Sequence, residues 1–437
     1  MPRIPSLAIF RHQAFLRFWT GRVLATLAMQ MQLTAIGWQV YDSAREHGQS
    51  VAESAFLLGL MGLAQFLPLL FLSLIGGSAA DRYDRKAILL LCYGAKALIA
   101  LGLVFSTSLS ADLLIPVVFA ASVGAGAINA FLPPANSALA PMLVPREELP
   151  QAIAWGSLGF QAGVIIGPAI GGLLFGIGPI APYAAAAAFF LVSLSLLLAT
   201  RTPRQPPVDD PRTTRMIMEG LRFVRDNKIV LGAISLDLVV VLLAGAVALL
   251  PVFARDILHA GPSELGLLRS GMGAGAALVA LALAVAPLRR NVGRWMFGST
   301  ILFGLATIVF GLSNSFWLTV AALAVAGGVD MISVYVRSSL IQLNTPDAMR
   351  GRVAAVSFVF ISASNEFGDF EAGLTARLFG PVLAVTLGGA AAVAASVWWI
   401  KLFPDLAKAD GFEPVADDRT EKPTVPQKSS PSQLCGL

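Results

Sequence analysis

From Phe15 to Leu402 the chain alternates long apolar stretches with short polar breaks. A bilayer core takes about 20 apolar residues per helix. Twelve stretches fit that length, at 15–41, 55–79, 87–108, 112–139, 151–175, 181–200, 229–253, 264–287, 295–313, 316–342, 351–376 and 380–402. The breaks "STSLSAD" and "SNS" between spans three and four and spans nine and ten predict tight helical hairpins. The pattern predicts an all-α membrane protein with twelve transmembrane helices in two six-helix halves.

Two segments break the rhythm. Residues 201–228, "RTPRQPPVDDPRTTRMIMEGLRFVRDNK", form a polar linker between the sixes. Within it Met216, Met218, Leu221 and Phe223 stand beside Arg215, Arg222 and Arg225, which predicts a short amphipathic helix on the membrane surface. From Pro404 the chain is rich in Pro, Ser and charge, a composition expected to be disordered. The expected organisation is therefore 1–200, a first six-helix half; 201–228, the linker; 229–403, a second half; and 404–437, a tail.

An internal repeat supports the two halves. At an offset of 201, "PREELPQAIAWGSLGFQAGVIIGPAIGG" from Pro145 aligns with "PDAMRGRVAAVSFVFISASNEFGDFEAG" from Pro346. Gly126 then falls on Gly327, Gly167 on Gly368 and Gly172 on Gly373. Parallel repeats with a site at their interface near mid-membrane are one transporter pattern, so the two halves are expected to be pseudo-symmetric.

Composition agrees with lipid as the solvent. The chain of 437 residues is 56% hydrophobic and only 13% charged, against about 25% charged in soluble domains. The basic residues orient it. One set of loops carries Arg82, Arg85, Lys86, Arg146, the Lys/Arg run of 201–228, Arg289, Arg290, Arg294, Arg350 and Arg352. The other set carries Arg45, Arg255 and Arg377. Cytoplasmic loops take the excess, so both termini are expected in the cytoplasm and the protein in a plasma (bacterial inner) membrane. The net charge of +5 is explained by topology without nucleic acid. The start lacks a signal-peptide layout. Two cysteines, Cys92 and Cys435, give no disulfide framework. Three scattered His show no metal spacing, and G-x-x-x-x-G-K-[ST] does not occur, which argues against ATP drive in this chain. No cofactor, no metal and no enzyme activity are expected.

The segment "GSAADRYDRK" at 77–86 resembles the signature loop of the major facilitator superfamily, through Gly77, Asp81, Arg82, Arg85 and Lys86, with Asp84 in place of a usual glycine. Span five, "GFQAGVIIGPAIGG", is similar to the superfamily's antiporter motif, through Gly159, Gly163, Gly167, Pro168, Gly171 and Gly172. "DRYDRK", "LVPREELPQA", "EGLRFVRDN" and "RGRVAAVS" resemble the exporter branch that includes the enterobactin exporter and multidrug and macrolide efflux proteins. The resemblance covers the whole chain. It implies the major facilitator fold and export of a small molecule by alternating access.

The residues allow physical readings beside this. Asp81 with Arg85 in the 77–86 loop, meeting the start of span eleven, would latch the halves together on the cytoplasmic side, with Gly77 at a close approach; the plain alternative is a basic stop on a membrane helix. The glycines of span five fall on one helical face, and Pro168 removes a backbone bond. They are expected to pack closely, with "GMGAGAA" of span eight (271–277) as a partner.

The acids of "SNEFGDFEAG" stand out most, because ionisable groups inside spans are rare and mark pathways or relays. At about 1.5 Å per residue Glu366 lies roughly 22 Å into span eleven. Asp369 is one turn further on, and Glu371 is rotated away. Their repeat counterparts are Ile165, Pro168 and Ile170. They are candidates for proton coupling or a substrate cavity, or alternatively for pairing with Arg377 or lining an outer vestibule. Asp237, Lys96 and Asp330 also lie at depth, with Asn365, Asn129, Gln30 and Gln32. Asp237 is a second proton or cation candidate, or half of a structural pair. Arg337 either snorkels to the surface or pairs.

The leading expectation is a monomeric secondary transporter in the bilayer, with a small-molecule substrate and protons as coupling ion. Cationic or amphipathic cargo would suit the acids; a siderophore would suit Arg22 or Lys96. An importer or uniporter, or a non-transporting sensor or scaffold, remains the alternative.

Overall fold

The computed structural model describes residues 7–202, 213–346 and 349–412. A few side chains within that range, including those of Asp81 and Arg350, lie outside the description, as does the tail from 413. The first half comprises α1 (Gln13–Glu46), α2 (Val51–Arg82), α3 (Arg85–Ser106), α4 (Ala111–Leu139), α5 (Leu149–Ile177) and α6 (Ile180–Leu198). The linker helix α7 (Thr213–Asp226) follows. The second half runs through α8 (Lys228–Ala244), α9 (Leu250–Val252), α10 (Pro262–Val285), α11 (Val292–Leu312), α12 (Phe316–Leu343), α13 (Arg350–Phe379) and α14 (Pro381–Leu402), and ends in the short α15 (Pro404–Ala407). Helix starts follow local chemistry. The Ser50 hydroxyl accepts from the Glu53 N–H at 3.2 Å while Glu53 accepts from the Ser50 N–H at 3.0 Å, a reciprocal cap on α2. Asp84 caps α3 by accepting from the Lys86 N–H at 3.0 Å.

Among the described residues, ten helical segments are long and apolar enough to cross a bilayer. Helices α1 and α13, of 34 and 30 residues, have the length but carry more polar side chains. These two carry most of the polar residues singled out at depth, so the deficit in hydrophobicity coincides with candidate function.

The repeat is visible in the packing. Helix α4 packs on α2 as α12 packs on α10, and α5 packs on α1 as α13 packs on α8. The aligned glycines hold equivalent places. Gly126 lies against the Gln65 carbonyl of α2, and Gly327 against the Met272 carbonyl of α10. Gly167 faces Gln30 of α1, and Gly368 faces Leu242 of α8. Gly172 meets Gly266 of α10 across the interface, and Gly373 meets Gly59 of α2 by the symmetric contact.

We call the face where α1 begins proximal and the opposite face distal. Near the distal face one continuous apolar core joins both halves, from Ala35, Trp38 and Tyr41 of α1 through Leu58 and Met61 to Leu249, Phe253, Leu268 and Ala376. Near the proximal face the core divides. One cluster, with Phe15, Phe18, Leu89 and Phe190, belongs to the first half; another, with Leu236, Met296, Phe297 and Val336, belongs to the second. The halves are sealed distally and separate proximally.

Three expectations need correction in detail. The seventh span is not one helix: it breaks at Gly245, passes through a tight turn (Ala246–Leu249) and α9, and ends in a π-helical turn (Phe253–Ile257). The linker helix docks on protein. Val224 is buried with Val230, Ile341, Val353 and Val356, and Glu219 bonds Arg352, so α7 rides on the second half, with Met218 left exposed. The tail does not loosen at 404. Leu406 is buried, the Ala409 carbonyl accepts from the Gly293 N–H at 3.0 Å, and Phe412 meets the Tyr335 ring at 6.0 Å.

The glycine face of α5 packs on α1 as well as on α10. A Cβ at Gly163 would fall 2.6 Å from Thr26 Cγ2, and one at Gly171 would fall 2.7 Å from Met31 Cα. Contact with α10 is as extensive and comes through Gly172, through Gly176 near Ser263, and at Gly273 of the expected 271–277 partner segment, which lies against Ile165 and whose carbonyl accepts from the Gln161 amide at 3.2 Å. Gly159 and Pro168 are buried in the same helix. Because backbone, not a flexible side chain, opposes Gly171, Gly171→Val is expected to destabilise the first half by about 1–3 kcal/mol, read as a lower melting temperature of the purified protein.

Candidate functional site

Where the core divides, a cavity of about 540 Å³ opens, within the range of small-molecule sites. The first half supplies Arg22, Gln30 and Gln32 from α1, Gln65 from α2, Tyr93 and Lys96 from α3, and Ser122, Asn129 and Asn136 from α4. The second half supplies Asn365, Glu366 and Asp369, all from α13. Met29, Leu33, Ile36, Leu132 and Phe160 add apolar wall. The cations therefore come from one half and the acids from the other.

Each acid has a different setting. Asp369 accepts from the Ala248 N–H, in the turn that follows Gly245, and interacts electrostatically with Arg269 of α10. Its Cβ also abuts Gly62, where a side chain would fall within 2.8 Å. Asp369 is thus held by protein on several sides. Glu366 has no hydrogen bond or ion pair among the described residues. It interacts electrostatically with Lys96 across the cavity and with Asp369 one turn away. Glu371 lies apart from the cavity and accepts from the Thr375 hydroxyl at 2.7 Å. Arg377 pairs with none of these acids; its guanidinium lies 4.7 Å over the Phe56 ring.

Two candidates are elsewhere. Asp237 of α8 is buried in an ion pair with Arg337 of α12, inside the second half. It is no cavity group; of the alternatives the sequence offered, Asp237 is half of a structural pair and Arg337 pairs rather than snorkels. Asp330 lies on α12 outside the cavity lining. Removing one member of a buried pair strands the other charge, so Arg337→Ala is expected to cost about 3–5 kcal/mol, while Asp237→Leu with Arg337→Met is expected to come close to neutral. Thermal unfolding of the two variants checks this.

The distal seal has its own charges, of which sequence reading placed Arg45 and Arg255 in loops and did not single out Asp42 or Asp256. Tyr41 donates to Asp256, Arg45 donates to Asp256 at 3.1 Å, and Arg255 meets Asp42 at 2.9 Å. All three bonds join the end of α1 to the π-turn after α9, and so join the halves. The proximal loop is different. Lys86 donates to the carbonyls of Leu198 and Thr200 at 3.1 and 2.7 Å, at the end of α6. The Arg85 Nε donates to the Ala80 carbonyl at 3.0 Å, and Arg82 is exposed. These contacts stay within the first half, as expected where the proximal side is open. The Asp81 side chain lies outside the described residues. Gly77 faces open space, and the close approach falls instead at Gly76 against Ala130.

Sequence reading missed Arg269, Gln65 and Ser122. Arg269 carried the needed signal, an ionisable residue within an apolar span.

Residues 4–433 match the family model described as transmembrane secretion effector. The enterobactin exporter of Shigella boydii serotype 4 is 31% identical over 372 residues, covering 82% of this chain and 83% of that protein. The enterobactin exporter of Citrobacter koseri is 28% identical over 420 residues, covering 93% and 95%. Among solved structures, the D-xylose-proton symporter superposes with TM-score 0.70 at 13% identity, covering 90% of this chain and 98% of that one. A bacterial homologue of the iron transporter ferroportin in an inward-facing state gives 0.65 at 16%, covering 92% and 100%. The structural likenesses show a shared fold. The chain belongs to the transmembrane secretion effector family, within the major facilitator superfamily of membrane transporters.

Proposed function

We propose that this transporter exports a small amphipathic molecule bearing anionic or polyphenolic groups, siderophore-like in chemistry, in exchange for protons. The observation that carries the reading is the placement of Glu366: a carboxyl without a bonded partner among the described residues, facing Lys96 of the other half in a cavity open on one side. The relatives named as enterobactin exporters support the cargo class, and Arg22 and Lys96 supply cations to bind it. The basic loops support a cytoplasmic proximal face and cytoplasmic termini. The cavity then opens to the cytoplasm in this state.

The cycle follows from charge. Cargo enters from the cytoplasm and sets its anionic groups on Arg22 and Lys96. A proton on Glu366 leaves to the cytoplasm, and the carboxylate attracts Lys96, drawing α13 and α3 together as the proximal side closes. The distal bonds of Asp42 and Asp256 break to open the other face. A proton from outside then neutralises Glu366, cargo leaves, and the protonated carrier returns. Asp369, fixed by the Ala248 N–H and Arg269, positions the helix turn that carries Glu366.

The test is uptake into inside-out vesicles energised with a proton gradient, offered a catecholate siderophore, a macrolide and a cationic dye. Uptake of the catecholate that collapses with a protonophore is expected. Uptake of the dye alone would replace the anionic cargo with a cationic one; no gradient-dependent uptake of any of the three would refute the proposal.

A further inference from the structure

A second concavity, of about 460 Å³, lies on the outer side of the second half, between α11 and α12 near the proximal face. Trp295, Gly298 and Leu302 of α11 and Val329 and Ile332 of α12 line it, with Arg294 at the mouth. It faces lipid. The exposed positions of α11 recur at Trp295, Leu302, Leu305, Val309 and Leu312, the outward stripe of a helix. Gly298 keeps it open, since a Cβ there would meet nothing within 4 Å.

The mouth is basic. Arg294 is exposed and has no ion-pair partner among the described residues, and Arg289 and Arg290 are exposed just before α11. Asp410 is the acid at this turn, and its Oδ1 is engaged by the Asn291 N–H at 3.1 Å. Because α11 begins at Val292, these arginines lie at headgroup depth, where Trp295 is also suited to sit. An apolar slot below a cluster of exposed arginines, three against the one Asp410 carboxylate, matches a ligand with an anionic head and an acyl tail. Basic pockets between membrane helices take anionic lipid headgroups for this reason. A water-soluble anion would satisfy the arginines and leave the slot unfilled.

We propose that this groove binds one anionic phospholipid of the bilayer, with its phosphate on Arg294 and the neighbouring arginines and one acyl chain along Gly298 between Trp295 and Leu302. The site is separate from the central cavity and independent of the cargo.

The test titrates delipidated full-length protein in detergent with phosphatidylglycerol or phosphatidylcholine and counts bound lipid by native mass spectrometry. Wild-type protein is expected to retain one phosphatidylglycerol in preference to phosphatidylcholine. Arg294→Gln is expected to weaken that binding about fivefold, the effect of one basic residue near a headgroup. Gly298→Leu, which fills the slot, is expected to abolish it. Equal retention of both lipids by wild type, or unchanged retention in both variants, would overturn the proposal. Arg294→Gln alters an exposed side chain, so it tests the site even if Gly298→Leu folds poorly: unchanged retention in Arg294→Gln alone would then overturn it.

Discussion

Glu366→Gln is expected to abolish proton-driven accumulation while leaving insertion, folding and cargo binding in place. Glutamine keeps the shape and removes the only property the cycle uses, a proton that loads and unloads. The side chain makes no hydrogen bond among the described residues, so its amide disturbs no existing network. Uptake into energised inside-out vesicles should fall to the level seen with protonophore. Exchange of labelled against unlabelled cargo across the same membrane, which needs no net proton movement, should survive. Asp369→Asn should differ in kind. Asp369 interacts with Arg269 and accepts from the Ala248 N–H, so its loss leaves a cation uncompensated and should lower thermal stability as well as transport. Wild-type uptake by Glu366→Gln would remove this carboxyl from the mechanism.

The second large effect concerns the distal seal. Asp256→Ala removes the acceptor of both Tyr41 and Arg45, bonds to a charged group that are each worth about 1.5–3 kcal/mol. Both join the halves only when the distal side is closed, so the change should shift the protein towards a distal-open state by at least about tenfold. Spin labels at Gln49 and Ala260, in a background lacking Cys92 and Cys435, read this as a longer distance between the distal loops. Asp42→Arg should open the seal similarly by opposing Arg255, and adding Arg255→Asp should restore it. An unchanged distance in Asp256→Ala would mean that the apolar core around Leu249 and Phe253 closes the distal side without help from these charges.

Much of the fold was legible because span length and apolar composition are local properties. The repeat was legible for a similar reason: glycines at one offset occupy equivalent close approaches, as Gly126 and Gly327 do. Azimuth and partner were not. Asp237 and Arg337 lie far apart in the chain, and nothing local says that their helices turn these side chains towards each other. The encounter of Lys96 with Glu366 spans both halves and has the same character. Charges at span ends, such as Asp42 and Arg255, look like ordinary loop residues until two loops meet. Gly77 shows a further gap: which of two adjacent glycines meets a neighbouring helix depends on azimuth, and the close approach falls at Gly76.

In the proposed cycle cargo and protons move in opposite directions through one cavity. Purified protein in liposomes carrying a pH-sensitive dye inside, with an imposed gradient of a catecholate siderophore and no other energy source, tests it most directly. Cargo entering down its gradient is expected to drive protons out, so the interior should become alkaline in wild type and stay unchanged in Glu366→Gln. Cargo entry with no change of internal pH would contradict the account and make the protein a uniporter.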